Sequence, residues 1–177
     1  MEKSLIALCA AACFIFLPAC GGGGGSTTTE PTPTPTPTPQ MDPTPYAGVW
    51  TGSWRNLTFG TTGGASMEIT VDTATKSMTQ TIGFDGKVFG GSTPPTVTIT
   101  GTYDQTATLS AIGTPLGDIA ATIDGNGAIT ITMTNDPTGA IASVALAGTV
   151  AATAIDMTYD VTYNNGAKAN GTISLTL

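Results

Sequence analysis

Ile155-Asp156-Met157-Thr158-Tyr159-Asp160-Val161-Thr162-Tyr163 alternates apolar with polar side chains, breaks at Asn164-Asn165-Gly166, and resumes in Thr172-Ile173-Ser174-Leu175-Thr176-Leu177. Successive side chains on a strand point to opposite faces. Ile155, Met157, Tyr159, Val161 and Tyr163 therefore share one face, while Asp156, Thr158 and Asp160 share the other. In the last run Ile173, Leu175 and Leu177 oppose Thr172, Ser174 and Thr176. The intervening Asn-Gly supplies the positive φ that a tight hairpin needs, so the two runs pair as antiparallel strands with one dry face and one wet face.

The same grammar extends upstream. Met67, Ile69 and Val71 alternate with Glu68, Thr70 and Asp72; Val97 and Ile99 with Thr96, Thr98 and Thr100; Ile129, Ile131 and Met133 with Ala128, Thr130, Thr132 and Thr134. Asp72-Thr73-Ala74-Thr75-Lys76 and Asp124-Gly125-Asn126-Gly127 separate further pairs of runs with hairpin chemistry. The pattern predicts an all-β domain over 46–177, an antiparallel up-and-down β-barrel of about eight to ten strands, with a β-sandwich as the alternative. An alternating run at Ile173–Leu177 favours the barrel, because pairing it with the first strand leaves neither edge open.

That first strand reads Gly48-Val49-Trp50-Thr51-Gly52-Ser53-Trp54. Gly48, Gly52, Trp50 and Trp54 fall on one face, where the glycines leave room for indoles and let the sheet bend. Trp50 and Trp54 either plug the barrel or form an apolar platform for a ligand. The inward stripes carry small residues (Ala107, Ala121, Gly101, Gly148, Gly171) beside Met67, Met78, Met133 and Met157. Such a lumen is either packed with methionine as filler or open to a small hydrophobic ligand.

On Gly48 and Trp50, Gly101-Thr102-Tyr103, Gly148-Thr149 and Gly171-Thr172-Ile173-Ser174-Leu175, the domain resembles the lipocalin-like (calycin-type) barrels, and more closely a broad group of bacterial lipoproteins with this opening and closing. The resemblance implies a Gly-X-Trp at the closed end of the barrel and a ligand-binding or interaction role. The last strand lacks the arginine that lipocalins pack over that tryptophan.

Composition limits the chemistry. The chain has no histidine, and its three cysteines, Cys9, Cys13 and Cys20, all precede the domain. This removes the commonest general base and metal ligand, and any disulfide from the domain. Asp124-Gly125-Asn126-Gly127 is short of the oxygens a calcium loop supplies and reads as a hairpin turn. Asp156 and Asp160 are separated by about twice the roughly 7 Å repeat of same-face neighbours, too far to share a proton or a metal. With no nucleophile and base pair, no enzyme, cofactor or metal is expected. The net charge of −7 and the scattered Arg55, Lys76, Lys87 and Lys168 disfavour nucleic acid.

The N-terminus supplies an address. Leu5–Leu17 is an apolar run behind Lys3, shorter than the roughly 20 residues of a membrane span, and therefore reads as a cleaved signal over 1–19. Leu17-Pro18-Ala19-Cys20 resembles the bacterial lipobox, which implies cleavage before Cys20, a lipid on its thiol, and anchorage to a membrane. Gly21 and Gly22 stand where a retaining aspartate would, so the expected location is the outer membrane of the cell envelope. Residues 20–45 form a Gly-rich and Pro-Thr-rich linker, in which polyproline II at about 3.1 Å per residue gives a reach of roughly 50 Å from Glu30 to Pro45. Three roles stay open: capture of a small apolar ligand in the lumen, an interaction domain that meets a partner protein or a polysaccharide through its Thr-rich outer surface, or an accessory or inhibitor of a secreted enzyme.

Overall fold

Each alternating run becomes one strand, and each turn signal one hairpin. The computed structural model describes residues 40–177; Leu17, Pro18, Ala19, Cys20 and the linker as far as Pro39 lie outside the described residues. The strands are β1 (Gly48–Asn56), β2 (Thr61–Asp72), β3 (Ser77–Phe84), β4 (Val97–Tyr103), β5 (Thr106–Thr114), β6 (Gly117–Asp124), β7 (Ala128–Thr134), β8 (Ile141–Val150), β9 (Ala154–Tyr163) and β10 (Lys168–Thr176). Every strand pairs antiparallel with its sequence neighbour, and β1 pairs with β10 from Thr51↔Thr176 to Asn56↔Gly171. The result is a closed ten-stranded barrel, which excludes the sandwich.

Turn chemistry works as local sequence dictates. Asp72 Oδ1 accepts from the Ala74 and Thr75 amides at 2.9 and 3.2 Å, and Asp124 Oδ1 from those of Asn126 and Ala128 at 2.8 and 2.9 Å. Gly127 and Gly166 take the positive φ of their turns. Inside, a Cβ at Gly101 would collide with the Thr108 carbonyl oxygen of the neighbouring strand. Only glycine permits that close approach, and it is one place where the sheet coils tightly enough to close.

The lumen is solid. Trp50 (0% exposed) and Trp54 (1%) lie inside it, with Met67, Met78, Met133 and Met157 also buried. The void among Met67, Ile82, Ile131, Met133, Met157 and Ile173 amounts to about 10 Å³, less than a water needs to fit with ease. There is no room in this packing for an acyl chain or a small hydrophobe.

The two ends are closed differently. At the end where the chain enters, the Met41 amide donates to Asp104 O at 2.8 Å, the Met41 side chain is buried, and Trp50 Nε1 donates to Tyr46 O at 3.0 Å. The barrel cap thus reaches back to Met41, within the stretch whose composition reads as linker, because Met41 and Pro43 there are buried against the barrel. Leu177 departs from expectation as well: β10 ends at Thr176, and Leu177, past the last paired position, is 59% exposed and lies against Gly48.

Candidate functional site

The far end is stoppered by the connection between β3 and β4, Asp85 to Thr96. Its Val88 and Phe89 turn into the barrel mouth and are buried, and Phe89 packs edge-on against Phe84 and Tyr159 with ring centroids 5.6 Å apart in both pairs. Side chains from β1 and β9 bolt this stopper through its backbone carbonyls. Trp54 Nε1 donates to Asp85 O at 2.7 Å, Asn56 Nδ2 and Tyr159 Oη to Val88 O at 3.0 and 2.9 Å, and Tyr163 Oη to Phe89 O at 2.6 Å. Buried carbonyls without a strand partner need such donors.

Asn56 also organises the neighbouring β1–β2 turn. It is fully buried, and its Oδ1 accepts from the Thr58 and Phe59 amides, both at 3.0 Å. Thr58 is further tied to β10, where its Oγ1 accepts from the Asn170 amide at 3.0 Å. Held this way, Phe59 stands 54% exposed beside the stopper.

Between Phe59, the stopper and the β9–β10 turn lies an open cleft of about 420 Å³, lined by Phe59, Lys87, Gly90, Gly91, Tyr163 and Ala167 among others. Gly90 sits between the rings: a Cβ there would stand 2.7 Å from Tyr163 Oη and 3.2 Å from Phe59 Cε2. Its bare backbone is what keeps the cleft open. Tyr163 gives its hydroxyl to Phe89 O, so what it adds to the cleft is chiefly ring surface. On the other side of Gly90 and Gly91 a second depression of about 220 Å³ runs past Pro94, Pro95, Leu116 and Ile141.

Burial sets the titration of the two tyrosines. It pushes Tyr159 up to about 12, against a smaller opposing effect of its contact with Asn56, and it also raises Tyr163. Both hydroxyls stay protonated donors to the stopper far above neutral pH. Across the mouth, Asp136 is partly desolvated, which raises its pKa, but hydrogen bonds from Thr138, Ile141 and Ala140 outweigh this and lower it. Its carboxylate is thus committed to bracing the β7–β8 turn and is not left over as a base.

Charge is distributed unevenly between the ends. Lys76 pairs with Asp104 at 3.5 Å at the chain-entry end. Arg55 near the end of β1, Lys168 at the start of β10 and Lys87 in the stopper all belong to the far end, on the side of the cleft.

Trp50 and Trp54, singled out from sequence, are core residues at opposite ends of the lumen, each with its indole N-H on a backbone carbonyl. Neither lines the cleft. Asp156 and Asp160 are exposed on the outer wall, and among the described residues no cluster of three or more metal-ligating side chains occurs. The residues that sequence reasoning missed are Asn56, Phe59, Lys87, Val88 and Phe89. A signal for Asn56 existed, since it continues the inward register of Trp50 and Trp54 with a polar side chain. Comparison with protein-family models, curated proteins and solved structures finds no match to this chain.

Proposed function

We propose that the chain is a membrane-anchored extracytoplasmic binding module, held by a lipid on Cys20, that binds a small hydrophobic ligand on its rim and not in its lumen. The observation that carries the reading is the contrast between an interior void of about 10 Å³ and an open apolar cleft of about 420 Å³ at the end remote from chain entry. A cleft of that size falls in the range of small-molecule sites. The lipobox and linker support the address, and the described chain enters the barrel at Met41, at the end opposite the cleft.

Two measurements test it. The neutral probe N-phenyl-1-naphthylamine is expected to gain emission with the folded domain, and Phe59→Ala to weaken it about tenfold, the loss expected from removing much of one aromatic wall. Binding that ignores Phe59→Ala, or no binding, refutes the rim site. Cys20→Ser is expected to move the protein from the membrane to the soluble fraction or leave it with its signal uncut; lipid labelling that persists in that variant refutes the anchor.

A polar groove of about 360 Å³ on the outer wall favours a second reading, contact with a polysaccharide. Gly64 and Gly83 leave space there beside Asp85, Ser66 and Thr96. Retention of the domain on immobilised envelope polysaccharide, lost in Gly83→Val, is the expected outcome of that reading.

A further inference from the structure

We infer that the rim cleft selects an amphipathic anion: a flat apolar body carrying one carboxylate, with Lys87 as its counter-ion. This rests on the rim cleft being the binding site. The walls are the Phe59 and Tyr163 rings, the Gly90–Gly91 backbone and Ala167, with Thr61, Asn165 and Lys87 beside them, and the surface they offer is almost entirely apolar. A sugar, which needs many directed hydrogen bonds, is poorly served by such walls, whereas an aromatic or aliphatic body is well served. Lys87 is the one charged residue among those lining the cleft; it is exposed and forms no ion pair among the described residues.

The wider field points the same way. The chain carries −7 overall, yet Arg55, Lys87 and Lys168 gather at the cleft end while the remaining described cation, Lys76, is paired at the other. Asp85, Asp118 and Asp136 stand at the same end and offset these cations, whereas Asp42, Asp72, Asp104 and Asp124 outnumber Lys76 at the other, so an anion is repelled less at the cleft end than elsewhere and Lys87 supplies the local attraction. The ammonium of Lys87 is solvated, so its contribution is modest and sensitive to salt.

The test compares naphthalene-2-carboxylate with naphthalene-2-carboxamide, alike in shape and different in charge, by NMR titration of the folded protein. The carboxylate is expected to bind about three- to tenfold more tightly than the amide at low salt. Lys87→Met is expected to bring that ratio close to one by weakening the carboxylate more than the amide, and raising the salt to about 0.5 M to shrink it. Equal binding of the two compounds, or a Lys87→Met effect of the same size on both, overturns the anion selectivity and leaves the rim site standing. Binding of neither compound overturns both.

Discussion

Replacing Asn56 by aspartate should convert a pH-insensitive brace into a pH-dependent one. Asn56 makes three hydrogen bonds from a fully buried position: one donated to Val88 O and two accepted from Thr58 and Phe59. In Asn56→Asp the two acceptances survive, but an ionised carboxylate presents a second oxygen to the Val88 carbonyl, which is already an acceptor. The folded state avoids that repulsion by taking up a proton. Holding a carboxyl neutral at pH 7 against an ordinary pKa of about 3.9 costs at most about 4 kcal/mol, from about 3 units at 1.36 kcal/mol each. The protonated acid donates to Val88 O as the amide did, so near pH 4 the loss relative to wild type should fall below about 1 kcal/mol. The sign follows from linkage: a carboxyl whose folded pKa is raised supports stability below its unfolded pKa and loses it as pH climbs through the folded one. Asn56→Ala removes all three bonds at every pH and should cost about 3 kcal/mol, at roughly 1 kcal/mol per bond. Urea unfolding of the three proteins at pH 4 and pH 7 measures these differences. An Asn56→Asp penalty that is the same at both pH values, or an Asn56→Ala penalty under about 0.5 kcal/mol, refutes the role of Asn56 as the link between turn and stopper.

Tyr159 predicts an alkaline limb. Its pKa of about 12 in the fold against 10.0 means a contribution of about 2 to 3 kcal/mol that is complete below pH 10 and disappears as pH rises through 12, and Tyr159→Phe should flatten that part of the stability profile. Absorbance titration at the phenolate band checks the ionisation directly. Gly101→Ala should destabilise the barrel by more than the roughly 1 kcal/mol of an ordinary strand substitution, because its methyl meets the Thr108 carbonyl oxygen; thermal melting showing an unchanged or raised midpoint would count against the glycine-dependent coiling.

The strands were legible because an amphipathic strand writes its burial into a period of two. Ile155 to Val161 and Ile129 to Met133 read true at every inward position. The stopper was not legible for the same reason inverted. Val88 and Phe89 sit in a stretch without alternation, between Gly86 and Gly90, and their burial is decided by donors that arrive from β1 and β9. Phe59 and Lys87 meet only because two connections separate in sequence converge at one end of the barrel, which local spacing does not encode. Trp50 and Trp54 carried the strongest local signal, and the alternative of a packed plug describes them: large rings beside glycine, each needing one carbonyl for its N-H. Leu177 shows the limit of periodicity at a chain end, where the alternation continues one residue beyond the last partner strand.

The seam between β1 and β10 governs how the molecule can be made. Every other strand pair joins neighbours in sequence and can zip as soon as its hairpin exists, whereas the seam brings Thr51 together with Thr176. During folding, β1 must wait with one unpaired edge until β10 is available. A growing intermediate is therefore an incomplete, curling sheet that is sticky along one margin, and the last strand acts as the latch that ends this exposure. Disruption of β10 would leave the molecule in that adhesive state, with both β1 and β9 short of a partner.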